Sequence, residues 1–136
     1  MTTYVIAKVL LVNPKGEVLT LRRSETAPRR PMEMDLAGGW VDEGEDFTAA
    51  AIRETEEEAG IKLGMPDLQL VYTHTARLDD HNTCWLFFIG HSQGTEVTLS
   101  PEHDKADWLT LDQAIDAITY AVQHDFLAYV RDNNLL

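Results

Sequence analysis

The sequence predicts an α/β fold of the α+β kind, with a mixed central sheet and a helix on each side, formed as one domain over residues 1–136. Three observations carry this expectation. The segments Tyr4–Val12, Leu68–Arg77 and Thr83–Gly90 are rich in aliphatic, β-branched and aromatic residues and have the length of strands. A helical pattern over Ala49–Ile61 lies between the first of these and the other two, and apolar residues at helical spacing close the chain. A chain of 136 residues can bury a core without disulfides or metals to staple it.

Tyr4–Val12 is apolar on both faces, apart from Lys8, and reads as a strand covered on each side. Asn13-Pro14-Lys15-Gly16 is a strong turn signal, and Glu17–Arg23 forms the second arm of a hairpin that ends in Arg22 and Arg23. Ser24–Glu33, with Pro28 and Pro31, reads as a loop carrying two more arginines, Arg29 and Arg30. Met34–Ala37 reads as a short strand delivering the chain to Gly38-Gly39, where a glycine-rich acidic loop begins. Asp46 suits the N-cap of the following helix, and Gly60 suits the left-handed position that ends it. At about 100° per residue, Thr48, Ala51, Ile52, Thr55 and Ala59 share the arc that faces a sheet. Ala50, Glu54, Glu57 and Glu58 take the neighbouring arc, and Glu56 points to solvent.

Beyond the helix, Leu68–Arg77 and Thr83–Gly90 are strands joined by Leu78–Asn82. The second is apolar on both faces, which predicts a central strand and makes Cys84 a core residue. Glu96–Leu99 and Ala106–Leu109 read as short strands, the latter around Trp108. Thr110–Gln113 has the form of a capping box, and Ala114, Ile115, Ile118, Val122, Phe126 and Val130 predict a helix or a helix pair after it.

A net charge of −12 argues against nonspecific nucleic-acid partners and against anionic membranes. It leaves small phosphorylated ligands open, because a bound cation inverts the local charge. Cys84 is the only cysteine, so no internal disulfide forms and a reducing, cytoplasmic setting is expected. Val5–Val12 is too short to span a membrane. A monomer or homodimer is expected.

The chemistry concentrates in one stretch. Glu54, Glu57 and Glu58 are spaced i, i+3 and i+4, so their carboxylates project from one helix face. Like charges at that spacing cost an isolated helix roughly 0.2–0.5 kcal/mol per pair. Their repetition on one arc points to a cation, and a hard ion such as Mg²⁺ takes carboxylate oxygens. The arginines Arg22, Arg23, Arg29 and Arg30 admit two readings, as surface charges offsetting carboxylates or as forks for a phosphate.

The segment also resembles the Nudix box, G-x5-E-x7-R-E-U-x-E-E-x-G-U with U apolar. Gly39, Glu45, Arg53, Glu54, Glu57, Glu58, Gly60 and Ile61 stand in register, whereas Thr55 takes a position that is apolar in the family and Ala37 one that is often proline. The resemblance, to MutT-like Nudix hydrolases, implies an α/β/α sandwich and Mg²⁺-dependent hydrolysis of a diphosphate linkage in a nucleoside diphosphate bearing a further group, with Mn²⁺ as a substitute. It implies that Glu57 and Glu58 are metal ligands helped by the Gly39 carbonyl, and that Glu54 is a further ligand or the base. Arg53 and Glu45 are then mutual structural partners. Some members use another glutamate ahead of a late tryptophan, which Glu102 matches, with Glu96 as the fallback. Arg23 stands where related enzymes place a substrate-binding arginine. Arg22 is its alternative, and Gly38 joins them as a residue near substrate.

Small nucleotides, above all nucleoside triphosphates and their modified forms, remain as substrates by elimination. A proline at a set distance after the box, found in ADP-ribose pyrophosphatases, has no counterpart between Pro66 and Pro101. Trp40, Tyr72 and Trp85 are candidates for stacking on a base, although Trp85 and Tyr72 also suit the core. His81 and His103 are the histidines placed to touch substrate. A nucleotide-sensing domain without turnover is opposed by the complete glutamate set. Chemistry like that of isopentenyl-diphosphate isomerase is opposed by the lack of a cysteine ahead of the box. RNA decapping rests only on the arginine cluster.

Overall fold

Strand β1 (Thr2–Val12) is the spine of the sheet, as its long apolar run requires. Its whole length pairs in parallel with β6 (His81–His91), from Thr2 opposite His81 to Val12 opposite His91. The other pairings are antiparallel, so the sheet is mixed. On the far side of β6 lies β5 (Leu68–Arg77), and β2 (Val18–Arg23) joins β1 through the turn at Asn13–Glu17. Strands β3 (Met34–Asp35) and β7 (His103–Leu109) both pair with β2, while β4 (Ala37–Trp40) pairs with β1. The structure, a computed structural model, describes residues 1–136.

Period-two alternation in β1 supplies both faces of the core. Ala7, Val9 and Leu11 pack with Leu19, Leu21, Leu86 and Phe88 under Ala51 and Ala59 of helix α1 (Phe47–Ala59). Ile6, Leu10 and Val12 pack on the other face with Phe87, Phe126, Leu127 and Val130, covered by α2 (Leu111–Ala117) and α3 (Ala121–Asp132). Asp46 caps α1 through Ala49 N, Gly60 ends it at φ 68°, and the Thr110–Gln113 capping box is formed. The expected helix on each side of a mixed sheet is therefore present, with a helix pair on one side. No helix is long and apolar enough to cross a membrane.

Several local expectations are corrected. Gly38-Gly39 is not in a loop. It lies in β4, opposite Lys8 and Ala7, and the acidic loop begins only after Trp40. Glycine at position 38 is required by close approach and by φ 123°, because a β-carbon there would overlap the Ala7 carbonyl oxygen. Met34–Ala37 is broken at Leu36, which separates β3 from β4 and gives its N–H to Gln123 Oε1 (3.1 Å). Glu96–Leu99 forms no strand. Its backbone runs past the end of α1 instead, where Thr98 and Ser100 give their N–H groups to the Ala59 and Glu58 carbonyls. β6 and β7 are longer than expected, taking in His81, Asn82 and His91 and then His103–Lys105. Ala50, placed on the cleft arc, is buried, and Cys84 is half-buried against the core beneath α1.

Candidate active site

A cleft of about 530 Å³ opens where β1, β4 and α1 meet the Ser24–Arg30 loop. Ile6 and Lys8 come from β1, Gly38, Gly39 and Trp40 from β4, and Glu54 and Glu58 from α1. Arg23, Arg29 and Arg30, Pro101 and Glu102, and Trp85 and Tyr120 complete the lining.

Close packing of α1 on β4 sets the acidic wall. Glu58 lies 5% exposed, and its Oε1 accepts the Gly38 N–H at 2.6 Å. Burial pushes its carboxyl up to about 7 despite the opposing pull of Lys8, the Gly38 N–H and His103. Glu54 is raised as well, by burial, with Arg53 opposing. A β-carbon on Gly39 would come within 2.8 Å of the Glu54 carboxylate, so glycine there leaves room for that side chain.

The loop and helix are braced by Arg53. Its Nε and Nη2 reach Glu45 at 2.8 and 3.0 Å, its Nη1 reaches Glu54 and Glu57 at 3.0 and 3.2 Å, and Nη2 also meets the Trp40 carbonyl. Bonding to Arg53 holds the Glu45 carboxyl down at about 2, and the same contacts raise the guanidinium. Glu57 is 58% exposed, turned to Arg53, and does not line the cleft.

The cationic wall is organised by Asp35, whose side chain is wholly buried. Lys8 Nζ lies 3.3 Å from Asp35 Oδ1 and also donates to the Leu36 and Gly38 carbonyls. Arg23 Nη1 reaches Asp35 Oδ2 at 3.1 Å, Gln123 Nε2 reaches Oδ1 at 2.6 Å, and Arg30 stands at 3.8 Å. Burial alone would raise the Asp35 carboxyl, but Lys8, Gln123 and Arg30 hold it well below the usual carboxylate range. Arg23 is further fixed by its Nε bond to the Arg29 carbonyl (2.7 Å), and Arg30 lies 3.9 Å over the Tyr120 ring.

The structure thus gathers Glu54, Glu58, Glu102, Gly38, Gly39 and Arg23 in one cleft. Arg22 is not among them, since strand alternation turns it outward to Asp104 at 2.7 Å. Trp40 stands at the cleft 44% exposed, with Tyr4 edge-on to it and Arg29 near its face. Tyr72 packs on Phe87 and Phe126 in the core, and His81 pairs with Asp80 outside the cleft. Glu96 lies beyond the cleft as well. Lys8, Asp35 and Gln123 did not emerge from the sequence. The one available signal was Lys8 itself, a charge in a strand predicted to be covered on both faces, which requires a buried partner.

Comparison with known proteins bears on the fold and the family. The NUDIX domain model matches residues 2–130. A MutT protein from Methanosarcina mazei Go1 superposes with a TM-score of 0.83 at 28% identity, covering 98% of this chain and 96% of that one. An RNA pyrophosphohydrolase of Rhodospirillum rubrum is 27% identical over 126 residues, 81% of this chain and 74% of that protein. An octanoyltransferase of Myxococcus xanthus is 30% identical over 125 residues, 88% of this chain, which spans only about a third (34%) of that protein's length. With the box in register and the family model matched along nearly its whole length, the chain belongs to the Nudix family.

Proposed function

We propose that the protein is a divalent-metal-dependent pyrophosphohydrolase that cleaves a diphosphate linkage in a small nucleotide, nucleoside triphosphates and their modified forms first among them. The observation that carries this reading is the cleft itself, which Glu54, Glu58 and Glu102 line together with Arg23, Arg29 and Arg30. The donor set fits Mg²⁺ or Mn²⁺. Glu58 is a buried carboxylate that its protein partners leave largely uncompensated, and Glu54 and Glu102 offer further oxygens beside it.

Glu54, Glu58 and Glu102, with the Gly39 carbonyl, would hold the ion, and Glu57, now paired with Arg53, would join them on release from it. When bound, the ion supplies activation of water and neutralisation of charge on the phosphate oxygens. The chain's own residues do the positioning. Arg23 and Arg30 present planar forks to phosphate oxygens, and the buried Asp35 holds both in place. If it is not a ligand, Glu54, which lines the cleft, is instead the base that would accept the proton of the attacking water, and burial strengthens it in that role. Arg53 and Glu45 keep the loop against the helix, while Gly38 lets the backbone approach substrate.

A panel of nucleoside triphosphates, dinucleoside polyphosphates and nucleotide sugars, assayed for phosphate or pyrophosphate release with Mg²⁺ or with chelator, tests the reading. Release from at least one nucleotide that stops on chelation is expected. Glu58→Gln and Glu57→Gln should each lose more than about 100-fold in turnover while unfolding at near wild-type temperature. No release from any nucleotide favours a sensor. Similarity to the Rhodospirillum rubrum RNA pyrophosphohydrolase supports a second substrate class, RNA. Preference for a 5′-triphosphorylated oligonucleotide over the free nucleotide selects it.

A further inference from the structure

We propose that His103 is a nitrogen ligand that joins Glu58 and Glu102 in a site suited to a borderline transition ion such as Mn²⁺ over Mg²⁺. The inference rests on the metal-dependent reading above. His103 is the first residue of β7, and its side chain is 1% exposed. Neither ring nitrogen has a hydrogen-bond partner. The nearest carboxylate oxygens, Glu58 Oε2 from Nδ1 and Asp35 Oδ2 from Nε2, lie at 3.8 and 3.9 Å, beyond hydrogen-bond length.

Buried imidazoles normally bond at least one nitrogen, so this gap calls for an occupant. One donor atom each from Glu58, Glu102 and His103 lies within 4.8 Å of the others. Asp35 is already bonded by Lys8, Arg23 and Gln123, and Glu58 Oε1 by the Gly38 N–H. Glu58 Oε2 is the oxygen that faces the ring. Two metal–ligand bonds of about 2.1 Å each bridge a separation such as the 3.8 Å between Glu58 Oε2 and His103 Nδ1, which a single proton cannot.

The ring is also held in place by the backbone around it. Ser100–His103 is a turn closed by the His103 N–H on the Ser100 carbonyl (3.2 Å), with Pro101 at the position where proline fixes such turns. The Ser100 N–H reaches the Glu58 carbonyl, and the Ser24 N–H reaches the Glu102 carbonyl. The turn is thereby tied to α1 and to the end of β2. Carboxylates alone suit Mg²⁺, whereas an imidazole added to carboxylates shifts preference toward transition ions.

Mn²⁺ added alone to the full-length protein, read by pulsed electron paramagnetic resonance, tests this. The expected result is the modulation of a directly bound ¹⁴N, replaced by that of ¹⁵N when histidine is ¹⁵N-labelled. His103→Gln should abolish it and weaken Mn²⁺ binding by about tenfold, with Mg²⁺ weakened far less. A variant with His74, His81, His91 and His124 all changed to Gln should keep the signal, so the assignment survives a His103→Gln that does not fold. Mn²⁺ bound without nitrogen modulation overturns the histidine ligand and leaves the hydrolase reading standing. Modulation that is lost in the four-histidine variant, or retained in His103→Gln, also overturns it. Failure of both Mn²⁺ and Mg²⁺ to bind overturns both.

Discussion

Asp35 is the residue on which the cleft's cations converge, and it separates two neighbouring arginines by function. Arg23 is bonded to it, whereas Arg22 is spent on Asp104 at the surface. Arg23→Ala should therefore raise KM for nucleotide about tenfold with little change in kcat, and Arg22→Ala by less than about twofold. Equal effects, or the reverse order, would remove Asp35 from its organising role. The sequence left the choice between the two open, because alternation says that only one can face inward and not which. Asp35 itself was illegible for a related reason. Its partners Lys8 and Gln123 lie 27 and 88 positions away, and only the folded sheet brings them together.

At the scale of elements, the loop–helix unit was legible because each of its signals is local. Asp46, Gly60 and the glutamate spacing act within a few residues of themselves. Glu96–Leu99 misled because its composition suits a strand while the backbone partners it found are helix carbonyls. The Glu45–Arg53 brace makes the unit sensitive to acid. Glu45 is held near 2 in the fold against an ordinary 4.5, so its contribution is complete above about pH 4.5 and is lost as pH falls toward 2. Urea unfolding should show Glu45→Gln less stable than wild type at pH 7, with the gap narrowing at pH 4 and again at pH 3. A gap of constant size would mean that the charge of Glu45 contributes nothing.

The whole molecule carries 23 acidic against 11 basic residues, and its buried carboxylate wall adds to that repulsion. A divalent cation held in the cleft would offset part of both burdens. At about 100 times its dissociation constant a divalent ion adds ~2.7 kcal/mol to stability, which raises the melting temperature by roughly 10 °C. Sodium chloride at equal ionic strength should give well under half of that. Equal shifts would reduce the effect to general screening. The layered architecture was legible in the sequence from strand and helix periodicity, because one apolar face per element is enough to imply what must cover it.

The parallel pairing of β1 with β6 also sets a timetable. Each residue of β1 meets a partner about eighty positions further along the chain. During synthesis at about 5–20 residues per second, this long apolar strand waits several seconds for its neighbour. Until then it has the turn to β2 and the short β4 beside it, with α1 over one face only. The nascent chain is most open to aggregation in that interval, and the β5–β6 hairpin is the piece whose arrival ends it.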